Sequence, residues 1–198
     1  MAFDFKLDPF VNLLDQIQEA QASGVKEPTA MSLATSTITG LPNVRAVLFK
    51  GLLREGLSFY TNFDSPKAQD LSANPVAAAL FFWAPLARQI RVSGRVEKLT
   101  RAESEAYFAS RARLSQLGAW ASAQSQEIPN FEFLEQQVQK FEQKFAGQVI
   151  PCPTNWGGFH LLPSKFEFWF GREGRLHERH VYERTQAASP WARKLLSP

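Results

Sequence analysis

The segment Arg88–Leu99, with the sequence RQIRVSGRVEKL, alternates between apolar and polar residues. Ile90, Val92 and Gly94 occupy every second position, and polar or charged residues fill the positions between them. Successive side chains of a β-strand point to opposite faces of a sheet, so this strand would have one apolar and one polar face. The segment therefore predicts a strand of a half-buried β-sheet.

Similar extended runs lie on both sides of this segment, with turn residues between them. The runs before it are Met31–Thr37, Val44–Lys50, Leu57–Thr61 and Val76–Trp83, and those after it are Phe159–Leu162, Lys165–Phe170 and Arg175–Tyr182. Turn signals such as Thr39-Gly40 and Arg172-Glu173-Gly174 separate several of them. Runs at such close spacing are typical of antiparallel strands joined by hairpins.

Four helices are predicted around the strands. Asp8 and Pro9 favour a helix start and Gly24 a helix end, so residues 1–24 are expected to form an amphipathic helix that packs on the main body. The other helices are expected from Ser65 to Asn74, from Thr100 to Arg111 and from Asn130 to Phe145. Since no linker or repeat divides the chain, residues 1–198 are predicted to be one domain, mainly β with flanking helices (α+β), built on an antiparallel barrel-like sheet.

The composition argues against several classes of protein. The net charge is only +3, and no basic run marks a nucleic-acid tail or a membrane-surface helix. Cys152 is the only cysteine and the three histidines lack zinc-site spacing, so neither a disulfide nor a metal centre is predicted. Because no apolar stretch is long enough to span a membrane and Met1–Lys6 lacks a signal-peptide pattern, we expect a cytoplasmic protein without nucleic-acid or membrane partners.

Three basic residues near the C-terminus, Arg175, His177 and Arg179, alternate along a predicted strand. Alternate positions share one face of a strand, and three cations there repel one another unless the face meets water or an anion. From spacing alone, a solvated face is the commoner outcome. The alternative is an anionic ligand on this face, with His177 near the reacting atoms, because histidine can donate hydrogen bonds or transfer protons near neutral pH.

Tyr107, Arg111 and Ser115 follow one another at intervals of four residues, so on a single helix they would share one face. Two hydroxyls and a guanidinium could hold a phosphate there, because arginine offers paired donors; an ordinary exposed helix face is the alternative. Arg45 and Lys50 have strand parities that place them on opposite faces, so they share a site only if the strand twists or ends between them. Lys67, just inside a predicted helix start, is a further candidate phosphate ligand, with a solvated lysine as the alternative.

Taken together, ordered segments over nearly the whole chain resemble the pyridoxine/pyridoxamine 5′-phosphate oxidases. The matching segments are Pro28–Met31, Arg45–Lys50, Phe59–Asn62, Ser65–Ala68, Arg88-Gln89, Tyr107–Arg111, Ser115–Trp120, Gln124-Ser125, Trp156–Phe159, Glu167–Trp169 and Arg175–Arg179. The last of these, Arg-Leu-His-Glu-Arg, is the most diagnostic. The resemblance implies an FMN-binding split β-barrel that forms a homodimer, with two FMN sites at the subunit interface.

The resemblance also implies roles for individual residues. The implied FMN contacts are Arg45, Ala46, Val47, Leu48, Phe49, Lys50, Tyr60, Thr61, Lys67, Gln89, Gln124, Ser125, Trp169 and Arg179. The implied substrate contacts are Lys50, Tyr107, Arg111, Ser115, Arg175 and His177. Of these, Arg175 and His177 are the implied catalytic residues, which would cover the substrate ring on the side away from the flavin.

The implied activity is oxidation of pyridoxine 5′-phosphate and pyridoxamine 5′-phosphate to pyridoxal 5′-phosphate, in vitamin B6 metabolism. Hydride would pass from the substrate's C4′ carbon to flavin N5, and O2 would be reduced to hydrogen peroxide. Two features depart from the family. Pro66 stands where a basic residue usually precedes the lysine, which removes one expected phosphate contact. The chain also begins close to its first helix, whereas family members often carry an upstream segment that closes over the substrate.

Two other functions stay open at this level. One is a related split-barrel FMN oxidase that acts on another ring system, such as a phenazine precursor. The trio of Tyr107, Arg111 and Ser115 argues against it, because a substrate without phosphate does not need that pocket. The other is a non-catalytic protein that binds flavin or pyridoxal phosphate, which gives His177 beside an anion site no clear use.

Overall fold

The computed structural model describes residues 3–198, which contain five α-helices and a nine-stranded sheet. The helices are α1 (Pro9–Ala22), α2 (Pro66–Ala73), α3 (Arg101–Ser110), α4 (Arg113–Ala121) and α5 (Phe131–Lys144). The strands are β1 (Ala30–Ser36), β2 (Pro42–Leu48), β3 (Leu52–Leu53), β4 (Gly56–Asn62), β5 (Val76–Trp83), β6 (Arg88–Lys98), β7 (Trp156–Phe170), β8 (Glu178–Glu183) and β9 (Ala192–Leu196). The predicted mainly β, antiparallel architecture is confirmed; the single domain over 1–198 stays a prediction.

The sheet order is β2-β1-β5-β6-β7-β4-β3, with β8 paired to β7 and β9 paired to β8. β7 runs without a break where the sequence predicts two strands, 159–162 and 165–170. Pro163 lies where the register between β6 and β7 shifts, and a β-bulge tolerates a proline that cannot donate a ladder hydrogen bond. Gly94 lies opposite on β6, and a Cβ atom there would approach the Leu162 carbonyl oxygen to 2.0 Å.

The alternation that predicted β6 is confirmed by burial. Ile90, Val92 and Val96 are buried, whereas Arg91 and Arg95 are exposed. The inward faces of the strands form the main core, to which the fully buried Leu13 and Ala20 of α1 contribute. A second core lies under α3, α4 and α5 and contains the buried residues Phe108, Leu117, Phe145, Ile150 and Trp156.

Local capping explains where the predicted helices begin. The Asp8 carboxylate accepts a hydrogen bond from the Phe10 N–H at the start of α1. At α3, Thr100 and Glu103 form a complete capping box, with each side chain bonded to the other residue's backbone N–H. These two starts therefore lie where the sequence places them.

The structure differs from the sequence prediction at several further points. α1 covers only Pro9–Ala22 of the helix expected over residues 1–24, of which residues 1 and 2 lie outside the described range. α3 ends at Ser110, and Arg111 is extended with ψ of 149°, so the helix does not include Arg111. α4, β3 and β9 are not predicted at all. The predicted strand Arg175–Tyr182 begins only at Glu178, because the preceding residues form a turn.

Within residues 3–198, no helix has the length and apolar character that a membrane crossing requires. The same part of the chain holds no group of three or more side chains placed to share a metal ion.

Candidate functional site

A cleft of about 990 Å³ lies along the edge strand β2 and extends to the start of α2 and the junction of α3 with α4. Its lining includes thirteen residues that the resemblance implies: Arg45, Ala46, Val47, Leu48, Lys50, Tyr60, Thr61, Lys67, Tyr107, Arg111, Ser115, Gln124 and Ser125. Pro66 and Trp156 also line it. Its volume lies in the range of cofactor and small-molecule pockets. We refer to this space as the cleft.

Arg45 and Lys50 both border the cleft despite their opposite parity. β2 ends at Leu48, between the two residues, and it is an edge strand, so the cleft can extend around both of its faces. Phe49 differs from its neighbours because it is buried and its ring packs against Phe81 in the core. The Phe49 side chain therefore points away from the cleft.

Lys67 is the most deeply buried cation of the cleft, at 8% exposure, so the alternative of a solvated lysine is wrong. Its Nζ donates to Thr61 Oγ1 and Ser65 Oγ at 3.1 Å each and to Gln124 Oε1 at 3.2 Å. Within residues 3–198 no carboxylate pairs with it, and burial together with the Arg45 charge lowers the pKa of Lys67. A buried ammonium without a counter-charge is costly, which favours an anionic ligand at this position.

Arg45 is held beside β1 by uncharged groups. Its Nη1 donates to the Leu33 carbonyl at 3.1 Å and to Thr35 Oγ1 at 2.7 Å. The nearest carboxylate, that of Asp70, lies 3.9 Å from Nη2 and accepts a shorter hydrogen bond of 2.6 Å from Thr35. Burial lowers the pKa of Arg45, opposed by the Asp70 charge. Arg45 and Lys67 thus form one cationic point of the cleft.

Tyr107, Arg111 and Ser115 meet at the cleft wall, although no single helix carries all three. Tyr107 lies in α3, Arg111 in the extended residue that ends it, and Ser115 in α4. The turn between the two helices, rather than helical periodicity, brings the three residues together.

Arg111 forms a second cationic point. Its guanidinium lies 4.7 Å from the Trp156 ring centre and 5.6 Å from that of Phe108. Nη1 is buried and has no hydrogen-bond partner within residues 3–198, and burial lowers the pKa of Arg111. Because an unsatisfied buried donor is costly, this atom indicates a missing acceptor.

An aromatic wall connects the two cationic points. The Tyr60 and Tyr107 rings stack with centres 3.8 Å apart, and Trp156 lies parallel to Tyr60 at 5.5 Å. Burial raises the pKa of Tyr60, and nearby Tyr107 adds to the effect. A Cβ atom on Gly158 would meet the Tyr60 ring at 2.7 Å, so this glycine allows the wall to pack closely. Flat, partly buried rings of this kind suit a planar ligand.

Besides Phe49, five implied residues do not line the cleft, and we call them the sheet-face cluster: Gln89, Trp169, Arg175, His177 and Arg179. Gln89 pairs directly with Trp169, and Trp169 pairs with Arg179, so these three share one face of β6, β7 and β8. The His177 ring lies 4.7 Å from that of Trp169.

The prediction that one strand places Arg175, His177 and Arg179 on the same face is wrong. Gly174 and Arg175 both have positive φ, 62° and 60°, so the chain turns before β8 begins. His177 lies in the loop after this turn, where its Nδ1 accepts a hydrogen bond of 3.1 Å from the Arg172 N–H. Its contact with Trp169, rather than strand alternation, places His177 beside the sheet face.

The sheet face between the cleft and the cluster is apolar and exposed. Val44, Val76 and Phe82 point outward on it and are 70%, 49% and 58% exposed, and Phe82 pairs directly with Gln89. β2 and β7 are separated by four strand spacings, about 19 Å. Within residues 3–198, none of the five cluster residues lines the cleft, so one chain does not bring the two groups into a single pocket.

Sequence reasoning missed two buried carboxylates that lie beside arginines of the site. Asp70 faces Arg45, and Glu167 accepts a hydrogen bond from Arg179 at 2.9 Å. A signal for Glu167 exists, because it is a lone charge between Phe166 and Phe168 in a strand of aromatic residues. Asp70 lies in an ordinary polar helix pattern, which holds no such signal.

Comparison with known protein families matches almost the whole chain. Residues 17–145 match the family described as pyridoxamine 5′-phosphate oxidase, and residues 156–198 match the pyridoxine 5′-phosphate oxidase C-terminal dimerisation region. The chain is 47% identical to the pyridoxine/pyridoxamine 5′-phosphate oxidase of Bdellovibrio bacteriovorus, covering 99% of this chain and 100% of that protein. It is 48% identical to the protein of the same name from Cupriavidus taiwanensis, over 98% and 91% of the two chains.

Two solved structures share the fold. PhzG from Burkholderia lata 383, in complex with tetrahydrophenazine-1-carboxylic acid, is similar with a TM-score of 0.92 and 28% identity, over 100% of this chain and 98% of that one. A pyridoxamine 5′-phosphate oxidase-related, FMN binding protein from Nostoc punctiforme has a TM-score of 0.78 and 19% identity, over 97% and 99% of the chains. The predicted split-barrel fold is confirmed.

Proposed function

Because this chain belongs to the pyridoxine/pyridoxamine 5′-phosphate oxidase family of FMN-dependent oxidoreductases, we propose that it oxidises pyridoxine and pyridoxamine 5′-phosphates to pyridoxal 5′-phosphate. The observation that carries the proposal is the pair of cationic points in one cleft. Lys67 with Arg45 forms one, Arg111 forms the other, and aromatic rings connect them. Two phosphorylated ligands, a cofactor and a substrate, would each neutralise one point.

The residues present fit FMN. Lys67 is a buried cation without a carboxylate partner within residues 3–198, which suits the FMN phosphate, and Arg45 lies beside it. We assign FMN to the following residues of the cleft and the sheet-face cluster: Arg45, Ala46, Val47, Leu48, the Phe49 backbone, Lys50, Tyr60, Thr61, Lys67, Gln124, Ser125, Gln89, Trp169 and Arg179. Bound FMN would supply the two-electron acceptor, with flavin N5 receiving hydride from the substrate's C4′ carbon. O2 would then reoxidise the flavin and would itself be reduced to hydrogen peroxide.

The substrate phosphate is assigned to the second cationic point. The unsatisfied Arg111 Nη1 would donate to a phosphate oxygen, and the Tyr107 and Ser115 hydroxyls would complete the pocket. Lys50, exposed at the end of β2, can reach either ligand from the cleft edge. This arrangement fixes the substrate by its phosphate and leaves the ring free to meet the flavin.

His177 is assigned the role of a hydrogen-bond donor over the substrate ring. Because its Nδ1 accepts from the Arg172 N–H, a neutral imidazole carries its proton on Nε2. Nε2 can then donate to an oxygen of the substrate, and because it already carries the proton it cannot act as a base. Arg175, in the turn that precedes His177, is assigned to the same ring as a fixed positive charge.

The separation of the cleft from the sheet-face cluster is explained if a second copy completes each site. The exposed apolar sheet face would pack against its counterpart, so that the cleft of one chain meets the cluster of the other twice in one isologous dimer. The match of residues 156–198 to a dimerisation region supports a second copy of the chain as the partner on this face.

Mixed dimers test this arrangement directly. Arg111→Ala disables the cleft and Arg175→Ala disables the cluster, so each homodimer should be nearly inactive. If sites form between chains, every heterodimer has one intact site, and random mixing should restore about a quarter of the activity. If both groups act within one chain, mixing should restore none.

The function itself is tested by peroxide release. FMN-loaded protein should release hydrogen peroxide and form the aldehyde with either phosphorylated substrate at saturating concentration. Failure to oxidise both would overturn the proposal.

A second candidate is oxidation of a phenazine precursor, favoured by the close similarity to PhzG over the whole chain. The cationic point at Arg111 distinguishes the two candidates, because only a phosphorylated substrate needs it. Turnover of pyridoxine 5′-phosphate should exceed that of pyridoxine by a large factor and should fall steeply in Arg111→Ala. Faster oxidation of an unphosphorylated tricyclic substrate, unaffected by Arg111→Ala, would favour the phenazine reaction.

A further inference from the structure

Glu167 is a carboxylate buried on the outer face of the sheet. It is 3% exposed and lies between Phe166 and Phe168, both of which point into the core. Strand alternation therefore directs Glu167 outward, toward the face that carries Trp169 and Arg179. A carboxylate this deeply buried is tolerated only where cations or donors meet it.

Two arginines meet Glu167. Arg179 Nε donates to Oε1 at 2.9 Å, and Arg91 Nη1 lies 3.4 Å from Oε2. Arg91 is 60% exposed in its side chain and Arg179 only 25%, so the Arg179 pair is the better shielded and the stronger of the two. The contact is diagonal across β7 and β8, because the residue directly opposite Arg179 is Trp169.

Arg179 is held at two of its three nitrogen atoms. Besides the Nε contact, Nη1 donates to the Ser197 carbonyl at 3.0 Å. Within residues 3–198, Nη2 has no acceptor. The guanidinium is thus oriented by the chain, with one nitrogen left for a ligand.

We propose that Glu167 is a positioning residue for the cofactor, which fixes Arg179 in the orientation in which it contacts FMN. This inference rests on the proposed function, because it needs Arg179 to be an FMN contact. It extends that function to a residue that does not itself touch the ligand.

A purely electrostatic effect of Glu167 and a positioning effect predict opposite changes in the affinity for FMN. FMN is an anion, so removal of a nearby negative charge should tighten its binding if charge alone matters. If Glu167 instead orients Arg179, removal of the acceptor should weaken FMN binding. Glu167→Gln and Glu167→Ala remove the same charge, but only the glutamine keeps an oxygen acceptor.

The experiment measures the dissociation constant of FMN for the FMN-free dimer, from the quenching of flavin fluorescence. We expect it to rise about threefold in Glu167→Gln and about tenfold in Glu167→Ala. Glu183→Ala is the matched control, because Glu183 lies on β8 and pairs with two cations, Lys165 and Lys194, away from the assigned site. It should leave the constant unchanged.

A double-mutant cycle separates positioning from general damage to the fold. In an Arg179→Ala background, Glu167→Ala should weaken FMN binding no further, because its effect passes through Arg179. Additive losses, equal constants for the two Glu167 variants, or tighter binding in either would overturn the inference. Failure of the unmodified chain to bind FMN would overturn the proposed function instead.

Discussion

Lys67 in the cleft and Arg179 in the sheet-face cluster are both assigned to the cofactor, yet the protein holds them in opposite ways. Lys67 is surrounded by two hydroxyls and an amide oxygen, without a carboxylate partner within residues 3–198. Arg179 is bonded to the buried carboxylate of Glu167, whose hydrogen bond raises the pKa of Arg179. A buried cation without a counter-charge attracts an anionic ligand, whereas a cation already paired with a carboxylate mainly orients the ligand.

This difference indicates a division of work between the two regions. The cleft contains Lys67 and Arg111, neither of which has a carboxylate partner in the described part of the chain, and it should supply affinity for phosphates. The sheet-face cluster should supply orientation of rings and charge during the reaction. Each of the following substitutions therefore has a distinct expected effect on binding, turnover or stability.

Arg175→Ala should have the largest effect, on turnover. Loss of a charge that acts on the reacting ring should lower kcat/KM by about 100- to 1000-fold. Because Arg175 is exposed, the free energy of unfolding should change by less than about 0.5 kcal/mol. Steady-state kinetics and thermal denaturation measure both quantities.

Arg54→Ala is the control for Arg175→Ala, because Arg54 is also an exposed arginine with positive φ, of 48°, in a turn. It should change turnover little. If Arg175→Ala lost activity only in proportion to a loss of stability, Arg175 would have no direct role in the reaction.

Lys67→Met should come next, with its effect on cofactor affinity. Loss of the charge-assisted contact to the FMN phosphate should raise the dissociation constant about 10- to 100-fold. The stability of the FMN-free protein should hold or increase, because an uncompensated buried charge is removed. Flavin fluorescence titration checks the first and thermal denaturation the second, with the exposed Lys26→Met as control. Unchanged FMN affinity would contradict the assignment of Lys67 to the FMN phosphate.

Pro66→Arg should strengthen the cleft. Pro66 lines it at the first turn of α2, next to Lys67, and an arginine there could donate to the FMN phosphate. FMN should bind about 3- to 10-fold more tightly by the same titration. Pro66→Ala separates the gained cation from the lost proline and should not tighten binding; if it does so equally, the added charge is irrelevant.

The smallest expected effect is a pH dependence of the FMN-free protein. Lys67 has a pKa below its ordinary value of 10.5, because burial disfavours its charged form. The unfolded chain then binds more protons than the folded one between the two pKa values, so the free energy of unfolding should gain a contribution from Lys67 as pH rises through that window. The difference between unmodified and Lys67→Met protein, followed by denaturant titration over this range, isolates it. A difference that is flat or of opposite slope would contradict the burial of a charged Lys67.

Much of the fold could be predicted because local signals agree with one another. The alternation of Arg88–Leu99 depends on immediate neighbours, and burial confirms it. The Thr100–Glu103 capping box likewise requires only four consecutive residues. α4 was not predicted, because its start at Arg113 has no side-chain cap and follows α3 almost directly.

The local structure of the candidate site could not be predicted from neighbouring residues alone. The spacing of Tyr107, Arg111 and Ser115 could place them on one face only if one helix carried all three, whereas a break at Arg111 sets their geometry. Alternation suggested one strand for Arg175 and His177, whereas positive φ at Gly174 and Arg175 turns the chain. In both cases the resemblance supplied the residues, and their assignment to a ligand stays a prediction.

Local sequence patterns were enough to predict most of the strands and helices, and the ordered motifs identified the family. Periodicity, capping and motif order are properties of residues close together in the chain, and they persist whatever the rest of the fold does. Three features emerge only from the folded chain: Lys67 is buried with no carboxylate partner among residues 3–198, Glu167 holds Arg179, and the sheet-face cluster does not line the cleft. Burial and charge pairing depend on segments distant in sequence, so packing of the whole sheet is needed before either is defined.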